Sequence, residues 1–153
     1  MENLERMIGE HPFLKGLEQP YIELVTGCAS NVRFSEGDFL FRDGEEANAF
    51  FIIRQGRVAI ETYIPQRGSV MIDTYGEGDV LGWSWLVPPY TWHFDARALE
   101  LTRVIALDGK CLRNKCEEDR YFGYEILKRF TKIIEQRLEG LRIQLVDIYG
   151  SQS

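Results

Sequence analysis

What this sequence lacks narrows it first. It has two histidines and three cysteines in 153 residues. No apolar run approaches the roughly 18 residues that a membrane-spanning helix needs. The opening stretch MENLERMIGEH is charged and periodic, without the apolar core of a signal peptide. His11 and His93 lie far apart in the chain, so an imidazole-rich metal site would be starved of ligands. No G-x-S-x-G, H-E-x-x-H or P-loop pattern occurs. Carboxylates such as Glu45, Glu46, Asp73 and Asp95 are present, but no spacing singles out an acid–base pair. The cysteines are odd in number, with Cys28 alone and Cys111 and Cys116 five apart. That spacing makes neither a disulfide framework nor a zinc finger, and it predicts buried or idle thiols in a reducing, cytoplasmic setting. Together these absences argue against an enzyme, a metal protein and a membrane protein, and no cofactor is called for.

Basic charge is scarce as well. Residues 1–109 carry nine Lys and Arg against 17 Asp and Glu, a net of −8. Residues 110–153 carry nine against seven, a net of +2 within an overall −6. An acidic body without a basic stripe argues against direct contact with nucleic acid.

What is present divides the chain into three zones. Leu4, Met7 and Ile8 recur at helical spacing, as do Tyr21, Leu24 and Val25, and Pro12 and Pro20 separate two short helices. From about Val32 to Leu107 the pattern is β. Val58, Ile60, Thr62 and Ile64 alternate with Arg57, Ala59, Glu61 and Tyr63, and a second alternating run follows the turn PQRGS, which reads as a hairpin. Phe50 to Ile53 is continuously apolar, as in a strand buried on both faces, and Thr102 to Leu107 gives the last strand. Short strands punctuated by glycines favour a jelly-roll-like double sheet. Beyond about Asp108 the chain reads as helix. Leu127, Phe130, Ile134, Leu138, Leu141, Leu145 and Ile148 form a near-heptad seam, too long to lie wholly on a small roll, so it predicts a homodimer.

At this point the residues resemble a family. FLKGLEQPYIELVTGCASNVRFSEGDFLFRDGEEANAFFIIRQGRVAIETY looks like the opening of a cyclic-nucleotide-binding domain, and the likeness continues through GEGDVLGW and LTRVIALDG into the C-terminal helices. It covers residues 12–148, and the long last helix resembles the dimerising helix of catabolite-activator/Fnr-type regulators. Those regulators continue into a helix-turn-helix. This sequence runs out at Tyr149 to Ser153, so the resemblance implies the sensor half without DNA binding of its own.

The phosphate-binding cassette is rewritten. The family pattern begins Gly-Glu, the carboxylate holding a ribose hydroxyl, and ends in an Arg that pairs with the cyclic phosphate. Here Gly82 is followed by Trp83, and counting back from Ala96-Arg97-Ala98 puts Trp92 at the Arg position, with His93 next and Asp95 two further on. An indole has one N–H donor and neither acceptor nor charge. Losing an Arg–phosphate contact in a dry site costs about 2–5 kcal/mol, so tight cAMP binding is not expected. A first turn after Gly82, with Ser84, could still face an anion. Arg97 reads as a scaffold residue. Pro88 and Pro89 read as a stiff, extended loop tip.

Three alternatives stay open for Gly82, Trp83, Ser84, Trp85, Trp92, His93 and Asp95. They form an aromatic plug, a converted pocket for an aromatic or cationic effector, or a site that still binds cAMP. A ligand-free scaffold that docks a protein partner is the remaining class. The expected architecture is α+β, one domain over residues 1–153: N-terminal helices at 1–30, an antiparallel double-sheet β-roll at 31–108 and C-terminal helices at 109–149. In the family, ligand binding moves the cassette against the long helix. The resemblance implies the same lever here, between the Trp83–Trp92 segment and the Phe122–Leu141 face.

Overall fold

The structure, a computed structural model, describes residues 3–150. Helix α1 spans Leu4–Glu10, with the Asn3 side chain accepting the Arg6 N–H at its start. Helix α2 spans Gln19–Thr26 and carries Pro20 in its first turn, where a missing N–H is harmless. Eight strands follow: β1 Ala29–Phe34, β2 Phe39–Phe41, β3 Ala49–Gln55, β4 Val58–Ile64, β5 Gly68–Tyr75, β6 Val80–Leu81, β7 Asp95–Ala98 and β8 Thr102–Asp108. They form two antiparallel four-stranded sheets, ordered β1-β8-β3-β6 and β2-β7-β4-β5. The double-sheet roll, the β4–β5 hairpin and the helices on either side stand as the sequence predicted.

Strand β3 explains how the layers fit. Its side chains alternate across the sheet. Phe51 and Ile53 join Val58, Ile60, Leu81 and Val104 inside the roll. Phe50 and Ile52 point the other way, into a second core with Ile8, Leu112 and Phe122 of the helices and Leu14 of the turn between α1 and α2. The first sheet is thus covered on both faces, and that produces the unbroken apolar run.

Helix α3 spans Gly109–Glu118 and α4 spans Arg120–Gly150. The break between them is made by Asp119. Its carboxylate accepts the Phe122 N–H at 3.1 Å, and its other oxygen accepts the Tyr21 hydroxyl at 2.9 Å. Burial first, and this carboxylate second, push the Tyr21 phenol up to about 12. Helix α4 buries Phe122, Ile126 and Phe130 and then leaves the body, with residues 138–150 exposed. Phe130 therefore departs from the predicted seam: it belongs to the core of the chain itself, while Leu127, Leu138, Leu141 and Leu145 face outward.

The cysteines also depart from expectation. Cys28 and Cys111 form a disulfide across 83 residues of sequence, leaving Cys116 as the free thiol. The cause is topological. Ala29 at the start of β1 stands opposite Leu107 near the end of β8, so the residues just outside that pair are brought together. Spacing along the chain carries no trace of this. Burial, followed by the charges of Glu117 and Asp119, raises Cys116 to about 11.

Candidate functional site: the rewritten cassette

The segment from Gly82 to Asp95 leaves β6, makes a short 3-10 turn at Ser84–Leu86 and returns into β7. Gly82 has a φ of +101°, and a Cβ built on it would lie 2.8 Å from the Trp92 ring. Only glycine satisfies both constraints. Trp92 itself is inside the roll, 3 % exposed, and stacks on Phe41 with ring centroids 3.6 Å apart at 8°. Its backbone N–H donates to the Glu45 carbonyl at 3.0 Å, and its carbonyl accepts the Gly44 N–H at 2.9 Å. Together with the Glu46–Thr91 bridge, these bonds pin the returning half of the cassette to the β2–β3 loop.

The other tryptophans do not join it. Trp85 is fully buried on the opposite side of the first sheet, stacked on Phe50 at 5.2 Å and edge-on to Phe130 of α4 at 5.4 Å. Its indole N–H is buried without a hydrogen-bond partner. Trp83 is half-buried against the same helical layer. The seven expected site residues therefore form no single cluster. Trp92 and Gly82 face the roll, Trp83 and Trp85 face the helices, and His93 is exposed. The 3-10 turn has three residues, too few to present an anion-binding helix start.

Asp95 does not project as a free charge into the roll. One of its oxygens accepts the Asp43 backbone N–H at 2.8 Å and lies 3.8 Å from Arg42. Arg97 is the scaffold residue expected: its guanidinium makes a two-point pair with Glu61 at 2.9 and 2.8 Å. That pair holds the Glu61 carboxyl below its ordinary range, the hydrogen bonds outweighing the cost of burial. The proline tip is not extended. Tyr90 has a φ of +56° and its N–H donates to the Val87 carbonyl at 2.9 Å, so the segment turns.

Sequence reasoning missed Arg113 on α3. Its guanidinium donates to the Trp85 carbonyl at 2.6 Å and to the Asn48 side chain at 3.1 Å, and it covers the Tyr90 ring at 4.1 Å. One cation thus ties the first half of the cassette to the helical layer. An arginine on an amphipathic helix gives no sequence signal of such a role. A shallow depression of about 370 Å³ lies outside the Phe41–Trp92 stack, with Glu45, Glu46 and Asn48 at its rim.

This roll, with a connecting segment between β6 and β7 and a long helix packed behind it, defines a class. The chain belongs to the cyclic nucleotide-binding domain family, whose model matches residues 31–119. Among solved structures it is similar to a candidate cyclic nucleotide-binding protein from Geobacter metallireducens GS-15, at 21 % identity and a TM-score of 0.80, covering 90 % of this chain and 99 % of that one. The sensor domain of the transcriptional regulator DNR from Pseudomonas aeruginosa matches at 16 % identity and a TM-score of 0.70, covering 88 % and 91 %. The regulatory domain of Toxoplasma gondii PKA, solved with cAMP, matches at 19 % identity and a TM-score of 0.70, covering 86 % of this chain and 48 % of that one. No curated protein sequence gives a significant match. Two of these neighbours are the sensor domain of a transcriptional regulator and the regulatory domain of a kinase. Among the described residues no group of side chains could hold a metal ion, and no helix is long and apolar enough to cross a membrane.

Proposed function

We propose that this chain is a regulatory module of the cyclic nucleotide-binding family whose roll is closed to cyclic nucleotides by its own tryptophan. The observation that carries this is Trp92. At the position where the family places its phosphate-binding arginine, an indole is stacked on Phe41 and lies against Gly82. A purine nucleotide would have to displace that stack and would gain no guanidinium in return. The module acts as a homodimer through the outward face of α4, and Trp85 against Phe130 is the contact by which the cassette and that helix move together.

Thermal unfolding against cAMP and cGMP tests the closed roll. A ligand at a hundred times its dissociation constant adds about 2.7 kcal/mol, or roughly 5–10 °C for a domain of this size. No shift is expected with either nucleotide, and a shift of that order would restore cyclic-nucleotide sensing. One observation favours a second reading. The depression beside Trp92 is rimmed by Glu45 and Glu46, chemistry that suits an organic cation on an aromatic face. Choline in the same assay separates the two, since a closed module ignores it. Silence to all three probes is the result expected of the closed roll.

A further inference from the structure

A strongly cationic concavity of this acidic protein lies outside the roll. It is a cleft of about 500 Å³ between the turn after α1, the β5–β6 turn and α4. Lys15, Lys128, Arg129, Lys132 and Arg137 line it against two carboxylates, Asp79 and Glu125. The carboxylates are already engaged. Glu125 takes Lys128 at 3.2 Å and Arg129 at 2.6 Å, while Arg137 sits between Asp73 at 3.2 Å and Asp79 at 3.6 Å. Lys15 and Lys132 have no ion pair among the described residues. Two uncompensated ammonium groups therefore flank a recess whose wall also includes Phe13, Val80 and Ile133.

The cleft is built rather than incidental. Arg129 donates to the Lys15 carbonyl at 3.2 Å, fixing the turn to α4. His11 Nδ1 accepts the Phe13 N–H at 3.0 Å, so its Nε2 carries the proton and donates to the Gly78 carbonyl at 2.7 Å. That bond ties the same turn to the approach of β6. The cleft also stays open in a dimer. At 3.6 residues per turn its α4 face lies roughly 160° around the helix from the exposed leucines.

We propose that this cleft binds a small organic anion with an apolar body, its phosphate or carboxylate charge held by Lys15 and Lys132. The volume suits a metabolite rather than a macromolecule. Such a ligand would bridge the strand entering the cassette and the helix leaving the body. The site is separate from the roll, so it stands whether or not cAMP enters there.

The test is a titration of ¹⁵N-labelled full-length protein at constant ionic strength with phenyl phosphate, and in parallel with isophthalate, to distinguish phosphate from carboxylate recognition. The expected result is saturable shifts at the Phe13, Val80 and Ile133 amides with at least one probe. The double variant Lys15→Gln/Lys132→Gln should weaken that binding about tenfold. The charge-matched control Arg33→Gln/Lys110→Gln, on exposed residues away from the cleft, should leave it unchanged. Absence of saturation with both probes, equal weakening by the two doubles, or shifts confined to the Trp92 indole would each overturn the proposal.

Discussion

At the scale of single residues, the proposed closure of the roll turns on Trp92, whose effect is steric as much as chemical. The side chain fills the roll where the strands of the two sheets converge, and it contributes to the core as any large buried aromatic does. Removing it should show both roles. Trp92→Ala is expected to cost about 3–5 kcal/mol, as large-to-small changes in cores do. The space left between Phe41 and Gly82 should then accept an aromatic solute, since apolar cavities of this kind bind apolar guests. Indole added to the variant should recover several degrees of its lost unfolding temperature while leaving wild type unmoved. If the variant unfolds early and indole does nothing, the surroundings have collapsed inward and the roll holds no latent ligand space.

At the scale of elements, the cassette is divided between two cores. Its first half, through Trp85, belongs to the helical layer, and its second half, through Trp92, belongs to the roll. Any shift of α4 must therefore be felt at Trp85. A double-mutant cycle on Trp85→Phe and Phe130→Leu, read by urea unfolding, should return an interaction energy of at least about 0.5 kcal/mol. Strict additivity would mean that the edge-on contact carries no coupling, and the lever would have to run elsewhere. The same division marks the limit of what the sequence discloses. Alternation at Val58–Ile64 and the apolar run at Phe50–Ile53 identified the strands because period and burial are local properties. The family motif located Gly82 and Trp92 by counting along the chain. Nothing local says on which side of a sheet a loop tryptophan will fall, so Trp83 and Trp85 were grouped with Trp92. The Cys28–Cys111 pair and the Arg113 contacts are also long-range, created by β1 lying beside β8 and by α3 folding back over the cassette.

At the scale of the whole molecule, α4 is the feature that one protomer leaves unfinished. Over 31 residues it extends about 46 Å; Arg137 is still held to the body by Asp73 and Asp79, and residues 138–150 are exposed. Leu138, Leu141 and Leu145 are about half exposed or more, at 62 %, 48 % and 54 %. They recur at steps of three and four on one face, and Leu127 and Ile134 continue the line toward the roll. A helix with such a stripe in water is unlike the surface of an isolated small domain, and the proposed two-fold partner would cover it with the same stripe. The protein is expected to sediment at twice its 17.8 kDa chain mass at micromolar concentration. Its unfolding temperature should rise with protein concentration, as it does when association stabilises the folded state. Leu138→Lys/Leu145→Lys should give a monomer whose roll still folds, because neither side chain enters the cores described above. Sedimentation as a monomer across the whole concentration range would refute the dimer and leave α4 as a surface for a different chain. A double variant that stays dimeric would instead move the interface off this stripe and onto another face of the helix or onto the roll.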